Sequence, residues 1–314
     1  MPAPITRRRL LGSAILGPAL ALLPQQLLAQ TPPAAEVPDL PAPPPVDQKT
    51  EEDADAQLLA LEKRTGGRLG VSILDTETNI SLGYHEAERF PLFSTYKALA
   101  AGFVLARVDQ GREKLDRRVS FGKEVLVAYS PVSEKHAGID GMTIAELCEA
   151  SVTVSDNTAA NLLLDSFGGP SALTDWLRTT GDAETRLDRK EPDLNEAKKD
   201  DPRDTTTPDA VLDTLGLLTL GNTLSDTSSA LLTGWLVACS TGKDRLRAGL
   251  PAEWKVGDKT GTGASGMAAD IAIVWPPERG PILVAAYVTD ATAPAADVNA
   301  VFAEIGKMVA GMVG

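Results

Sequence analysis

"WKVGDKTGTGASGMAADIAIVWPPERGPILVAAYVTD" (residues 254–290) is the stretch that decides the fold. It contains three runs rich in β-branched and apolar residues, at 254–263, 267–277 and 281–290, separated by short turns with glycine or proline. This pattern predicts three consecutive antiparallel strands. The apolar residues of 296–313 recur at helical spacing, so a helix should close the chain.

The other end of the chain supplies matching strands. "RLGVSILDTET" (68–78) alternates as a strand, and "NISLGYHE" (79–86) is its expected hairpin partner. Between the two ends, roughly 113–240, several segments carry an apolar face at helical spacing. We therefore expect an α+β fold (an α/β sandwich): an antiparallel sheet from both chain ends flanked by helices, with an inserted all-helical lobe at about 90–240. The active site should lie in the cleft between the lobes.

Composition excludes several classes of function. The 314 residues carry a net charge of −13, which opposes binding to nucleic acid or to an anionic membrane. Two cysteines are too few for a disulfide framework, and two histidines argue against a catalytic zinc site. We expect no metal, no cofactor, no stable membrane anchor and a monomer.

The first 29 residues predict an export signal. "TRRRLLGSAILGPALALLPQQLLA" has a basic start, an apolar middle and a small residue near a plausible cleavage point. Its opening resembles a twin-arginine signal, which we favour over a general secretory signal with three arginines by chance. Residues 30–49 are rich in proline and alanine and predict a linker. The folded domain should then span 50–314, in a periplasmic or secreted protein.

Ser94 and Lys97 are the first candidate pair for chemistry. In "FPLFSTYKALAAGFVLARVDQG" (90–111) they stand three residues apart at the start of a helical pattern, so their side chains share one face. Serine needs a base to act as a nucleophile, and a lysine in apolar surroundings can serve. Alone, the pair favours an ordinary buried helix over a catalytic pair.

Two further motifs have structural and functional interpretations. Ser155, Asp156 and Asn157 precede a helical segment, where such residues often cap a helix. In "GDKTGTG", a lysine and two hydroxyls lie beside glycines that allow a close backbone approach, which suits binding of a carboxylate. A glycine-kinked edge strand explains the same residues.

The polar segment 185–208 shows no apolar period, and a loop this long in a compact domain usually has a function. Its Glu191 and Asn195 stand four apart and could hold and deprotonate a water molecule, or Glu191 could simply be a solvated acid. Arg189 and Asp204 lie near the ends of the loop, and an ion pair between them could close its neck.

Taken together, these motifs resemble the class A serine β-lactamases over roughly residues 50–314. The resemblance implies hydrolysis of the β-lactam amide bond through an acyl-enzyme on Ser94, and hence antibiotic resistance. Lys97 and Glu191 are rival bases for acylation, and Ser155 passes the proton to the departing nitrogen. Glu191, aided by Asn195, activates the water that releases the acyl group.

The resemblance also implies substrate contacts. The backbone N–H groups of Ser94 and Thr262 would form the oxyanion hole, and Asn157 would bind the acylamido side chain. Where many relatives have a carboxylate-binding arginine, this chain has Ala268, and the turn upstream offers Arg245 or Arg247 instead; we favour Arg245. The remaining expected substrate-binding residues are Lys259, Thr260, Gly261 and Thr262, with Tyr129 at the cleft rim unless it is a packing residue.

Departures from the family pattern limit the assignment. Cys148 matches a cysteine that is paired in some relatives, but the partner position is Ala101, so two free thiols are expected in preference to a Cys148–Cys239 bond. The disulfide of some carbapenem-hydrolysing relatives is ruled out, because its two positions hold Phe93 and Gly263. Two rivals share part of the pattern: a D,D-peptidase (penicillin-binding protein) and a β-lactam sensor that is acylated without turnover.

Overall fold

The computed structural model describes residues 48–264 and 266–313; the predicted export signal and residues 30–47 of the linker lie outside them. Its helices, in chain order, are α1 Gln48–Thr65, α2 Tyr96–Asp109, α3 Ile144–Thr153, α4 Asn157–Phe167, α5 Pro170–Thr179, α6 Pro208–Thr219, α7 Asp226–Val237, α8 Leu246–Gly249 and α9 Ala295–Gly311. Its strands are β1 Arg68–Asp75, β2 Ile80–Tyr84, β3 Phe90–Pro91, β4 Arg118–Val119, β5 Met142–Thr143, β6 Thr205–Thr206, β7 Lys255–Thr262, β8 Ala268–Trp275 and β9 Ile282–Thr289.

The main sheet joins the two ends of the chain, as predicted. Its five strands follow the order β2-β1-β9-β8-β7, and every neighbouring pair is antiparallel. The N-terminal hairpin β1–β2 is added to the C-terminal meander through β1 and β9, with Val71 opposite Ala286. This arrangement leaves β7 at one edge of the sheet, facing the inserted lobe.

Both faces of the sheet are buried, which explains why β8 and β9 are almost continuously apolar. Successive side chains of a strand point to opposite faces. Ile271 and Ile273 of β8 therefore pack with the helical lobe, whereas Ala272 and Val274 pack in a second core with α1 and α9. The result is a helix–sheet–helix arrangement that holds β7 rigidly.

The inserted lobe is helical, with two small departures from an all-helical segment. Two-residue strands pair as β3–β6 and β4–β5 within it. The pair Phe90–Thr206 lies where the chain enters the lobe and where the loop 185–208 returns. Such short ladders satisfy backbone groups in connections, and sequence periodicity gives no signal for two residues.

The first helix was not predicted. α1 begins two residues before the expected start of the domain at 50. Leu58 and Leu61 lie on its buried side, three residues apart, and pack with α9 and the sheet.

In the part of the chain described by the structure, no helix is both long and apolar enough to cross a lipid bilayer.

Candidate active site

The candidate nucleophile Ser94 lies in a single 3₁₀ turn, Phe93–Thr95, directly before α2. Phe93 has a φ of 47°, a strained conformation for a bulky residue and one that clusters at functional sites. The edge strand β7 closes over this turn at Gly261, where a Cβ would lie 2.8 Å from the Cβ of Phe93. Glycine at 261 therefore lets the strand approach the nucleophile.

Lys97 lies one turn further, and its ammonium is the hub of the site. Its Nζ is 3.1 Å from Oγ of Ser94 and 3.0 Å from Oε1 of Glu191. It also donates to Oδ1 of Asn157 at 2.6 Å and to the carbonyl of Ser155 at 2.9 Å. The Lys97 side chain is fully buried, and this desolvation lowers its pKa to about 8, although Glu191 acts in the opposite direction. A lysine with such a pKa can hold or release a proton near neutrality.

Ser155 bridges the two lysines of the site. Its Oγ lies 3.3 Å from Nζ of Lys97 and 3.2 Å from Nζ of Lys259. Its φ is 60°, so the segment before α4 turns sharply to bring this hydroxyl into the cleft. A hydroxyl between two ammonium groups can relay a proton.

In the motif Ser155–Asp156–Asn157, the predicted helix cap is the middle residue, Asp156. Asp156 caps α4 by accepting from the N–H of Ala159 at 2.8 Å, and it accepts from the Ser133 backbone and hydroxyl as well. Its neighbours Ser155 and Asn157 are thereby held toward the cleft. One motif thus serves both structure and site.

The polar loop brings Glu191 to the nucleophile. Oε1 of Glu191 is 3.4 Å from Oγ of Ser94, and its Oε2 accepts from Nδ2 of Asn195 at 2.6 Å. Asn161, which was not predicted, forms two hydrogen bonds with the backbone of Glu191. Its Nδ2 donates to the Glu191 carbonyl at 2.9 Å, and its Oδ1 accepts from the Glu191 N–H at 3.0 Å. The signal was available, because Asn157 and Asn161 stand four apart and share one face of α4.

The neck of this loop is closed by the expected ion pair. Nε of Arg189 lies 2.6 Å from Oδ2 of Asp204. Asp204 is buried and also accepts from the backbone N–H groups of Asp188 and Arg189, at 2.8 and 2.9 Å. The carboxylate therefore ties the two strands of the loop together beside Glu191.

The edge strand β7 places Lys259, Thr260 and Thr262 opposite Ser94, and we call these three residues the cationic shelf. Lys259 is fully buried, donates to the carbonyl of Thr260 at 2.8 Å, and has a pKa lowered by desolvation. Thr260 is buried, and Thr262 is exposed at the end of the strand. An ammonium with adjacent hydroxyls is a suitable receptor for a carboxylate.

The structure separates the two candidate arginines. Arg245 is only 8% exposed; its guanidinium donates to the carbonyls of Gly261 and Ala269 at 2.6 and 2.7 Å, and to Oγ1 of Thr262 at 2.8 Å. Arg247 instead pairs with the buried Asp258. Arg245 therefore lies directly behind Thr262, a more buried position than a side chain that projects freely into the cleft.

The structure also shows the surroundings of Tyr129 and of the two cysteines. Tyr129 is 60% exposed, so it is not a core packing residue, and its carbonyl accepts from the N–H of Asn157 at 3.0 Å. Cys148 and Cys239 are both buried free thiols. Among residues 48–264 and 266–313, no cluster of three or more histidine, cysteine or acidic side chains could hold a metal ion.

Ser94, Lys97 and Glu191 thus form a compact triangle, with Ser155 and Lys259 on one side. A serine with two adjacent groups able to take its proton, and a carboxylate held by an amide, can form and hydrolyse an acyl-enzyme. The cationic shelf would orient an acidic substrate.

Comparisons with known proteins agree with this geometry. A family model described as the beta-lactamase enzyme family matches residues 53–313. The chain is 42% identical over 308 residues to beta-lactamase AST-1 of Nocardia asteroides, covering 98% of this chain and 96% of that one. It is 45% identical over 254 residues to beta-lactamase CTX-M-97 of Escherichia coli, covering 81% and 87%.

A solved structure gives the same result in three dimensions. The ancestral (GNCA) class A beta-lactamase superposes with a TM-score of 0.81 at 61% identity, covering 82% of this chain and 98% of that one. Identity at this level over a whole domain accompanies the same fold and the same order of motifs. The chain belongs to the class A serine β-lactamases.

Proposed function

We propose that this protein hydrolyses the amide bond of β-lactam antibiotics through an acyl-enzyme on Ser94, and so confers resistance to them. The observation that carries the proposal is the buried contact among three groups: Nζ of Lys97 lies within 3.1 Å of the Ser94 hydroxyl and 3.0 Å of the Glu191 carboxylate. Family membership gives the reaction class, and this contact brings together a nucleophile (Ser94), a base (Lys97) and a carboxylate (Glu191).

Acylation begins with removal of the proton from Ser94. Lys97 acts as the base, because burial lowers its pKa to about 8 and makes its neutral form accessible. The Ser94 oxygen then attacks the β-lactam carbonyl, and the ring C–N bond breaks. Ser155, within 3.3 Å of both lysine ammonium groups, delivers a proton to the departing nitrogen.

In deacylation, Glu191 is the general base. Its carboxylate, held by Asn195 and by the contacts of its backbone with Asn161, takes a proton from a water molecule that attacks the acyl ester. The bond between the acyl carbon and the Ser94 oxygen then breaks, and the proton returns to that oxygen. The backbone N–H groups of Ser94 and Thr262 stabilise the oxyanion in both steps; loss of one such donor typically costs about 100- to 1,000-fold in rate. The residue that separates hydrolysis from stable acylation is therefore Glu191.

Substrate recognition uses the shelf of β7 and the rim of the cleft. Lys259, Thr260 and Thr262 receive the carboxylate of the drug, where Gly261 keeps the backbone close to Ser94. Arg245 supports the Thr262 hydroxyl from behind, at 2.8 Å. Asn157 binds the acylamido group, and Tyr129 borders the opening.

Turnover of a chromogenic cephalosporin by the purified protein tests this function. We expect many turnovers per enzyme and loss of the reaction in Ser94→Ala. A single burst equal to the enzyme concentration, with no steady state, would instead favour the D,D-peptidase or the sensor. A panel of penicillins, cephalosporins and carbapenems, compared by kcat/KM, would define the substrate range.

We also propose that residues 1–29 direct export and that the protein acts in the periplasm or outside the cell as a monomer. The support is the basic start and apolar middle of "TRRRLLGSAILGPALALLPQQLLA", which fits a cleaved signal. N-terminal sequencing of the exported protein should find a start near residue 30. Export lost on changing Arg7 and Arg8 to lysine would indicate the twin-arginine route, and gel filtration would report the oligomeric state.

A further inference from the structure

A half-buried threonine, Thr241, touches the cationic shelf without belonging to any of the motifs above. It lies in the turn between α7 and α8. Its Oγ1 is 2.5 Å from Oγ1 of Thr260 on β7, and Sγ of Cys239 is 3.3 Å from the same Thr241 oxygen. Cys239, Thr241 and Thr260 therefore form a chain of three hydrogen-bonding groups that ends at the substrate-binding strand.

We propose that Thr241 is a positioning residue that orients the hydroxyl of Thr260 toward the substrate carboxylate. The inference rests on the proposed function, in which Thr260 helps to receive that carboxylate. It adds a residue whose hydroxyl acts through Thr260.

The donor and acceptor in each of these hydrogen bonds follow from the chemistry of the groups at the two ends of the series. A carboxylate only accepts hydrogen bonds, so Thr260 must keep its proton for the substrate and accept one from Thr241. Thr241 has then donated its single proton, and its oxygen can accept from Cys239. Burial and the nearby Asp258 raise the pKa of the Cys239 thiol and keep it protonated; its single S–H can donate either to the Thr241 oxygen or to the Asp258 carboxylate. The donation from Thr241 to Thr260 strengthens the one from Thr260 to the substrate anion.

The turn that carries Thr241 is fixed in place. A Cβ at position 242 would lie 1.9 Å from Oδ2 of the buried Asp258. Glycine at 242 therefore allows the turn to pack against β7 in this position. On the other side, the N–H of Ser240 donates to the carbonyl of Thr153 at 2.9 Å. Thr241 is thus held between the strand and the helical lobe, which makes its hydroxyl a pre-positioned donor.

A double-mutant cycle on Thr241 and Thr260 tests the proposal. Thr241→Val removes the hydroxyl and keeps the shape, and should raise KM for a carboxylate-bearing β-lactam about 5- to 10-fold, with kcat changed less than about twofold. Thr241→Ser retains the donor and should restore KM. In a Thr260→Val background, Thr241→Val should have almost no further effect, because its route to the substrate is already gone.

The matched control is Thr219→Val, which removes a buried hydroxyl that donates to the carbonyl of Leu215 at 2.7 Å, at the end of α6. It should leave KM unchanged, and thermal unfolding of each variant checks that it is folded. Equal effects of Thr241→Val with and without the Thr260 hydroxyl, or no effect on KM at all, would overturn the inference. Either result leaves the proposed hydrolysis intact, because wild-type turnover tests that separately.

Discussion

The Nζ atom of Lys97 lies 3.0 Å from Oε1 of Glu191, and neither side chain has any exposed surface. Two opposite charges buried together need good geometry and additional hydrogen bonds, because desolvation of each is costly. Here Lys97 also donates to Asn157 and Ser155, and Glu191 accepts from Asn195. The pair is therefore both a structural link between α2 and the loop and the place where the two candidate bases meet.

Replacing Glu191 by glutamine should separate the two chemical steps. The variant keeps the shape of the side chain but cannot take a proton from water, so we expect acylation to persist and deacylation to slow by about 100- to 10,000-fold. Mass spectrometry should then detect a covalent adduct on Ser94 that accumulates. Absence of an adduct, with intact folding, would contradict this division of roles.

The pH dependence of acylation should reveal which group is the base. The neutral fraction of Lys97 grows as the pH rises through its pKa of about 8, so single-turnover acylation should accelerate and level off above that value. Glu191 raises the pKa of Lys97 by its charge, so Glu191→Gln should move the inflection to lower pH. A flat profile in the unmodified enzyme, together with loss of acylation in Glu191→Gln, would favour Glu191 and a water molecule as the acylation base.

The neck of the loop should control both stability and kcat. Arg189→Ala removes a charged hydrogen bond to the buried Asp204 and should lower the free energy of unfolding by about 2 to 3 kcal/mol. At about 2 to 4 °C per kcal/mol, calorimetry should resolve the fall in Tm. We expect kcat to fall as well, since the loop holds Glu191.

A second arginine of the same loop provides the control. Arg203 pairs with Asp201 near the surface and is 45% exposed, so Arg203→Ala should cost less than about 1 kcal/mol and leave kcat unchanged. Equal losses in the two variants would mean that the Arg189–Asp204 pair has no special role.

Arg245 should be intolerant even of lysine. A lysine keeps the charge but cannot reach two backbone carbonyls and the Thr262 hydroxyl in one plane. We expect Arg245→Lys to raise KM for β-lactams about tenfold, with a smaller change in kcat, in steady-state measurements. An unchanged KM would show that Thr262 does not depend on its contact with Arg245.

Thiol titration checks the state of the two cysteines. Both are buried, and burial raises the pKa of each thiol, so neither should react with a thiol reagent in the folded enzyme. After unfolding without reductant, two thiols per chain should react. Finding none would establish the Cys148–Cys239 bond as the correct alternative.

Much of the fold was available from local pattern. Alternation and turn residues predicted β1, β2 and the meander β7–β9, because the side-chain period of two is a property of each strand alone. Helical spacing predicted the inserted lobe and the closing helix for the same reason. It missed α1, whose apolar residues are few, and the two-residue strands, which are too short to have a period.

The candidate residues were also present in the sequence, as four separate motifs, each with a structural alternative. The functional interpretation was chosen because the four motifs follow one another in the same order as in the class A serine β-lactamases. The spacing of Asn161 from Asn157 indicated that the two share a helix face, but it could not identify the partner of Asn161, which is the backbone of the distant Glu191.

By itself, the sequence determined the elements, the net charge and the types of residue available for chemistry, because these depend on neighbours in the chain. Only the tertiary structure decided which side chains meet: Ser94 and Glu191 stand 97 positions apart and lie 3.4 Å from each other. It also placed Arg245 behind Thr262, paired Arg247 with Asp258, and put Thr241 against Thr260. Contacts of this kind depend on the order of the strands, on how the loop closes and on the packing of side chains distant in sequence. Local sequence periodicity predicts none of these.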